Sequence, residues 1–552
     1  YNYSMKQGKN LSALILLICI TVFAFFLRTN RISFNPPSLS WDEVSIGYNA
    51  YSILKTGKDE HGKFLPLDTF VAYGDYKPPL AIYLTVPSVA IFGLNEFSVR
   101  LPSAFFGTLT IVLTYLLVKE LFKKNQYLAL LSSILLAISP WHINLSRAGF
   151  EANIALFFVV LGTWLILKAR EKSWMWIIAG IPYVLSMYTF NSSRYFVVIF
   201  GIGLLMYVWK SIRASWKQMA IGICVAGVML LPLIPHLLSK EARLRFVEVN
   251  IFTDSTIVTT ANERIVHDGN SLIGRIINNR RIGYARSYLV HFFDNLRTDF
   301  LFIKGDGNPK FSIQDVGQLY WIEAPLLIIG IFSLLLVDVK IALLLLFWIV
   351  AAIMPAAVAR ETPHALRILN SLPTWQIFIA FGILTIYQFV VHPAKPWRSG
   401  AYCFLLISVY TINSMYYLHK YYRHYPIEFS GEWQYGYREA LLAIQPIESK
   451  YTTIAMTEFI GRPYMYTLFY KKTDPTMFQR TKDARFDTAG FYHVYGFEKY
   501  RFIKELPSQM DPQTIYIWDA TTVPHGVRVI DTIRLLNGNP VLVVFDRGAV
   551  KL

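Results

Sequence analysis

About eleven separate runs of this chain are apolar for long enough to cross, or nearly cross, a lipid bilayer, which takes ~20 residues of helix. They fall at 11–27, 101–121, 127–141, 154–167, 174–188, 195–209, 219–238, 320–337, 341–358, 374–391 and 401–418. Lipid offers no partner to a bare N–H or C=O, so such runs must be helices packed on one another. Only 16% of the 552 residues are charged, against about 25% in soluble domains. The expectation is an α-helical polytopic membrane protein. The first run has no small-residue cleavage site after it and is read as a retained helix. Cys19, Cys224 and Cys403 lie within apolar runs, so no disulfide framework is expected.

The net charge of +17 would suggest nucleic acid in a soluble protein. Here the cations serve topology instead, and no nucleic-acid partner is expected. With a cytoplasmic N-terminus, Lys6 and Lys9 fall inside, as do Lys119, Lys123 and Lys124. So do Lys168, Arg170 and Lys172, then Lys210, Arg213 and Lys217, and finally Lys395 and Arg398. Short basic loops gathered on one side follow the positive-inside bias. The external side then receives two long loops, 30–100 and 239–319, and a tail, 421–552. The chain divides into a transmembrane module, 1–420, and an extracytoplasmic α/β domain, 421–552. In that tail, 436–447 reads as helix, and 451–457, 514–518 and 540–545 read as strands. An enzyme so arranged works on the outer face, without nucleotide sugars.

Trp41-Asp42-Glu43 follows the first run and precedes a stretch, 44–54, with helical spacing. Asp42 suits an N-cap, and Glu43 suits a helix's first turn. Both also suit acid–base work at the membrane surface. Tyr76-Lys77-Pro78-Pro79 precedes another apolar stretch, where Lys77 either snorkels to headgroups or contacts phosphate. Short external loops offer Arg147 with Glu151, Arg194, and the denser set Arg360, Glu361, His364 and Arg367. His364 and Arg367 are three apart and would share a helical face. These cations are either structural ion pairs or an anion pocket beside a carboxylate. A sugar carried on a lipid phosphate needs such a pocket for its departing phosphate, and a base for the acceptor hydroxyl.

On Asp42 and Glu43, Lys77-Pro78-Pro79, and Ser146-Arg147…Glu151, the chain resembles the GT-C membrane glycosyltransferases. The resemblance is to the branch holding the protein O-mannosyltransferases and the aminoarabinose lipid A transferases. The loop of His364 and Arg367 recurs in bacterial relatives of that branch. The resemblance covers the membrane part, and its motifs are individually short. It implies a polyprenyl-phosphate sugar donor, inverting transfer to an acceptor hydroxyl, and a prokaryotic plasma (inner) membrane location with the site facing outward. It implies Asp42 as general base, with Glu43 beside it. Lys77, Arg147, Arg360, His364 and Arg367 would contact the donor phosphate, and Glu151, Arg194 and Tyr76 would support them. The loop 239–319 would fold over the substrates, with Phe300-Leu301-Phe302 touching lipid. No cofactor is required. A divalent metal is compatible with the acids and His364 on the outer face, although no compact ligand spacing is visible. The acceptor is a protein, lipid or glycan. There is no Trp-Trp-Asp motif of the oligosaccharyltransferases, and the tail does not resemble the β-trefoil of eukaryotic O-mannosyltransferases. Two alternatives stay open. One is an O-antigen ligase or polymerase using a polyprenyl-pyrophosphate donor. The other is a non-enzymatic transporter of lipid-linked sugars, though that would place charge mid-helix.

Overall fold

The computed structural model describes residues 2–123, 125–239, 250–390, 397–487 and 491–548. Lys124 and Lys395 of the basic loops lie outside them, as does part of the loop 239–319. The chain divides into two compact units that interleave along the sequence. The first comprises Tyr1–Arg28, Phe105–Ser146 and Glu151–Tyr417; the second comprises Thr29–Ala104, Arg147–Phe150 and Leu418–Leu552.

The first unit is helical. Along the described chain, seven helices are long and apolar enough to cross a membrane, or up to eight counting a pair bent by 55°, Gln126–Ile138 and Pro140–Arg147. Three further apolar helices are shorter: Leu80–Phe92, Ser173–Met187 and Glu323–Val337. The sequence expects about eleven runs. The difference lies in length, because several runs are interrupted. Pro140 has no N–H to continue the helix that ends at Ile138. Helices in this unit approach through glycine. A Cβ on Gly330 would lie 1.8 Å from the Phe378 carbonyl oxygen, and one on Gly382 would lie 2.1 Å from that of Leu326. The helices Glu323–Val337 and Thr374–Val390 therefore touch backbone to backbone, as membrane helices do where side chains are absent.

The long second loop belongs to this unit and folds into helices of its own, among them Ser255–His267, Leu272–Ile277 and Arg280–Asp294. The expectation that Phe300-Leu301-Phe302 touches lipid is corrected for its first two residues, Phe302 being half-buried. Phe300 and Leu301 are buried, and the Phe300 ring meets the Trp141 ring edge-on at 6.3 Å.

The second unit joins the first external loop to the tail. Its sheet has seven strands: β3 (Thr453–Thr457), β4 (Asp483–Phe486), β5 (Tyr492–Phe497), β6 (Tyr500–Ile503), β7 (Thr514–Asp519), β8 (Arg528–Arg534) and β9 (Pro540–Asp546). A two-stranded hairpin, β1 (Phe70–Ala72) and β2 (Asp75–Lys77), precedes them. The order is β4-β5-β6-β3-β7-β9-β8, with β3 parallel to β6 and β7 and every other pairing antiparallel. All six residues of β7 are buried, so both faces of the sheet's centre are covered. One core cluster draws Leu39, Val44, Tyr48 and Phe70 from the loop and Tyr464, Phe469, Phe478 and Ile517 from the tail. Gly47 marks the contact: a Cβ there would lie 2.6 Å from both the Phe469 ring and Val99.

Candidate active site

The site in the second unit is organised by the start of the helix Trp41–Thr56. Its N-cap is Ser40, two residues before the expected Asp42. The Ser40 N–H donates to Glu43 Oε2 at 2.9 Å, and Ser40 Oγ accepts from the Glu43 N–H at 3.4 Å. This capping box satisfies two donors that a helix start leaves orphaned. Glu43 is fully buried and takes two more bonds on Oε1, from Arg100 Nε at 2.7 Å and from the Gly149 N–H at 2.9 Å. Arg100 is equally buried, and donates to the carbonyls of Ile32 and Pro36 at 2.8 Å each. Glu43 and Arg100 thus bind three stretches of chain together, 32–43, the head of the helix Glu96–Leu121, and Gly149.

Asp42 is treated differently by the same helix. It occupies the first turn, and its Oδ1 lies 2.8 Å from Lys77 Nζ. The Asp42 side chain is 37% exposed and that of Lys77 only 6%. Lys77 is pinned by the hairpin, in which it pairs with Phe70 while Tyr76 pairs with Val71. The turn uses Tyr73 and Gly74 at φ 61° and 92°, left-handed positions that glycine takes without cost. The Lys77 carbonyl accepts from Thr69 Oγ1 at 3.1 Å, and Asp75 stands 3.9 Å from the ammonium. Tyr73 closes the other side: its hydroxyl donates to the Trp41 carbonyl at 2.8 Å, and the Arg462 guanidinium lies over its ring at 4.9 Å. The arrangement is a partly open carboxylate beside a sheltered ammonium, on rigid mounts.

Arg147 also belongs to this unit but is fully buried. Its guanidinium donates to the carbonyls of Asn30 at 2.7 Å and Asn35 at 3.0 Å and to the Tyr421 hydroxyl at 3.1 Å. It lies 5.1 Å from the ring centres of both Tyr421 and Tyr422.

The remaining candidates sit in the first unit. Glu151 opens the helix Glu151–Lys168 and suits its positive end. Arg194 Nε donates to the Met187 carbonyl at 3.2 Å. Arg360 is exposed and donates to the Asn250 carbonyl and to Thr253 Oγ1, both at 3.1 Å. Arg367 holds Glu361, through its carbonyl at 3.1 Å and its carboxylate at 3.8 Å.

His364 and Arg367 do not share a helical face, because the segment is an irregular turn. Its N–H groups are claimed by side chains of the second loop. The His364 N–H donates to Asn295 Oδ1 at 3.0 Å, and the Ala365 N–H to Asp306 Oδ2 at 2.6 Å. His364 is buried and tilted against the Phe311 ring at 4.8 Å. Burial, and then the nearby Arg367, hold its imidazole well below the usual histidine range, so it is neutral at pH 7. Asp306 Oδ2 stands 3.9 Å from His364 Nδ1. Burial pushes the Asp306 carboxyl up to about 6, against the lowering effect of its backbone hydrogen bonds.

Asp42, Glu43, Tyr76, Lys77 and Arg147 therefore share one unit, and Glu151, Arg194, Arg360, His364 and Arg367 the other. Arg100 and Asp306 escape the sequence reading. The first is a lone cation at the head of an apolar run, a visible signal. Asp306 has only a turn-like neighbourhood, Gly305 to Asn308, to mark it. Among the described residues no three His, Cys, Asp or Glu side chains are grouped to hold a metal ion.

Comparison with known proteins agrees with this architecture. Residues 76–238 match the family model described as dolichyl-phosphate-mannose-protein mannosyltransferase. A stretch of 105 residues is 35% identical to YkcB of Bacillus subtilis, which is a mannosyltransferase by name. That stretch is 19% of this chain and spans only 14% of the relative's length. The fold is similar to that of ArnT from Cupriavidus metallidurans in the apo state, at a TM-score of 0.55 and 11% identity, over 97% of this chain and 98% of that one. The same protein bound to undecaprenyl phosphate superposes at a TM-score of 0.51 with 12% identity, over the same shares of the two chains. Residues 76–238 thus match a mannosyltransferase family model, and the chain, an integral membrane protein by its apolar helices, has a fold similar to that of ArnT.

Proposed function

We propose that the protein transfers a sugar from a polyprenyl-phosphate donor to an acceptor hydroxyl on the outer face of a prokaryotic plasma membrane, with inversion and with Asp42 as general base. The observation that carries this reading is the Asp42–Lys77 pair, 2.8 Å apart and open on the carboxylate side. Lys77 also lies at the start of the family match. The bound undecaprenyl phosphate of ArnT supports a donor of that chemistry. In the resting protein Lys77 holds Asp42. A donor phosphate arriving beside Lys77 competes for the ammonium, which then stabilises the departing phosphate and leaves the carboxylate to take the acceptor's proton. Exchanging one anionic partner for another keeps the buried lysine paired at each stage.

Glu43, Arg100 and Arg147 act here as positioning groups. Each is fully buried and bonded to the chain; Glu43 with Arg100 fixes the helix start that presents Asp42, and Arg147 fixes the segment 30–35 leading to it. Arg360 and Arg367 belong to the other unit, Arg360 exposed and Arg367 half-buried.

The test uses purified protein in vesicles with synthetic polyprenyl-phosphate sugars, mannose first, and a panel of hydroxyl acceptors. Transfer without nucleotide sugar is the expected result. Transfer from polyprenyl-pyrophosphate donors alone overturns the reading in favour of a ligase-type enzyme.

A further inference from the structure

The helix Arg280–Asp294, in the long second loop, has two unlike faces. On one, the Tyr284 ring meets Phe252 at 5.7 Å, the Tyr288 hydroxyl donates to the Met354 carbonyl at 3.4 Å, and His291 Nδ1 lies 2.8 Å from the Ala359 carbonyl. Met354 lies in the last turn of, and Ala359 just follows, the membrane-length helix Val339–Ala356. The loop helix is thus bonded to the mouth of a candidate span.

On the other face, Ile282, Leu289, Val290 and Phe293 recur at i, i+7, i+8 and i+11, one stripe of a helix, with Arg286 at i+4 inside it. They are 49%, 54%, 52% and 60% exposed. The preceding short helix, Leu272–Ile277, adds Leu272, Ile273, Ile276 and Ile277, which are 59–75% exposed. Contiguous apolar surface of this kind marks an interaction site. Its charge says with what. From 269 to 293 the chain has Arg275, Arg280, Arg281 and Arg286 and no acid, and all four arginines are exposed. Guanidinium groups match phosphate oxygens in forked pairs. With its arginines this helix falls outside the membrane-length apolar helices.

We infer that 272–293 lies in the plane of the bilayer surface, its apolar stripe among the upper acyl chains, Arg275, Arg280 and Arg281 on the phosphates of anionic phospholipids, and Arg286 extending from within the stripe up to the same phosphates. Amphipathic helices with basic polar faces bind membranes in this way. The position of the docked face, at the end of a span, sets the depth. The inference rests on membrane insertion alone and stands whether or not sugar transfer is confirmed.

The test uses the full chain with Cys19, Cys224 and Cys403 replaced by alanine and Leu289→Cys carrying a polarity-sensitive fluorophore. An Ile276→Cys probe guards against perturbation by the first label. In vesicles, both probes should shift to shorter wavelength, be quenched by brominated acyl chains and resist aqueous iodide. Phosphatidylglycerol should strengthen these effects. The double variant Arg280→Gln, Arg281→Gln should weaken the phosphatidylglycerol dependence, by up to about fivefold per arginine in the ratio of lipid-facing to water-facing probe. A probe at the exposed turn residue Asn537 gives the aqueous reference. Iodide quenching equal to that reference in both lipid mixtures overturns the inference. So does cross-linking of the Leu289→Cys probes between copies in place of lipid quenching.

Discussion

Two clusters of charge, one in each unit, are built in opposite ways. Asp42 and Lys77 meet across 2.8 Å with the carboxylate more than a third exposed. His364 and Asp306 stand 3.9 Å apart, both buried, the imidazole neutral and the carboxyl raised. The first keeps a charged pair near solvent, where ligands can compete for it. The second joins two loops through backbone bonds that the side chains accept, and charge there is a liability. The contrast recurs inside the motif itself. Asp42 and Glu43 are neighbours, yet Glu43 is sealed by Arg100, Ser40 and Gly149.

The largest expected effect tests that sealing. Glu43→Gln strands the buried Arg100 charge and should destabilise the second unit by about 3–5 kcal/mol, read as thermal unfolding in detergent. Asp42→Asn in the same assay should cost less, because its carboxylate is 37% exposed and Asp75 still stands 3.9 Å from the Lys77 ammonium. Equal losses in the two would erase the distinction between them.

Next in size is Asp306→Asn, where the sign is reversed. The folded carboxyl titrates at about 6, above the unfolded value near 4, so the folded loop holds its proton more tightly. Stability is therefore lost as pH rises from about 4 to about 6, and at pH 7 the cost amounts to at most about 3 kcal/mol. The asparagine should flatten this dependence, measured as protease resistance of the loop between pH 4 and 7. A loop that becomes more resistant as pH rises contradicts the assignment.

Lys77→Met should weaken donor binding by roughly 1.5–3 kcal/mol, the usual worth of a hydrogen bond to a charged group, measured by titration with a polyprenyl phosphate. Donor affinity unchanged in this variant removes Lys77 from the phosphate role. Smallest is Arg360→Gln. That side chain is exposed and makes single bonds to Asn250 and Thr253, so stability should move by about 0.5 kcal/mol or less.

Much of this is legible in the residues because membrane helices and helix starts follow strong local rules. The helix after Trp41 and the strands around 453–457, 514–519 and 540–546 lie where periodicity and β-branching put them. The strands β4 and β8 are not visible that way, since as the outermost strands of the sheet they are largely exposed, with Asp, Arg and Thr among their residues. The joining of the first loop to the tail is not legible either, because Gly47 packs against Phe469 across more than four hundred residues of chain. Ser40 as the cap was readable from Ser-x-x-Glu at 40–43, a stronger signal than the aspartate after it. Burial of Arg147 was not, since its tyrosine partners come from the far end of the membrane region.

The central claim is that Asp42 takes the acceptor's proton. Its most direct test is the single-turnover transfer rate of Asp42→Asn, with the polyprenyl-phosphate sugar already bound at saturation. The account predicts a rate lowered by about 10²–10⁴-fold with donor affinity and the folded state retained. A rate equal to that of the unaltered protein would contradict it.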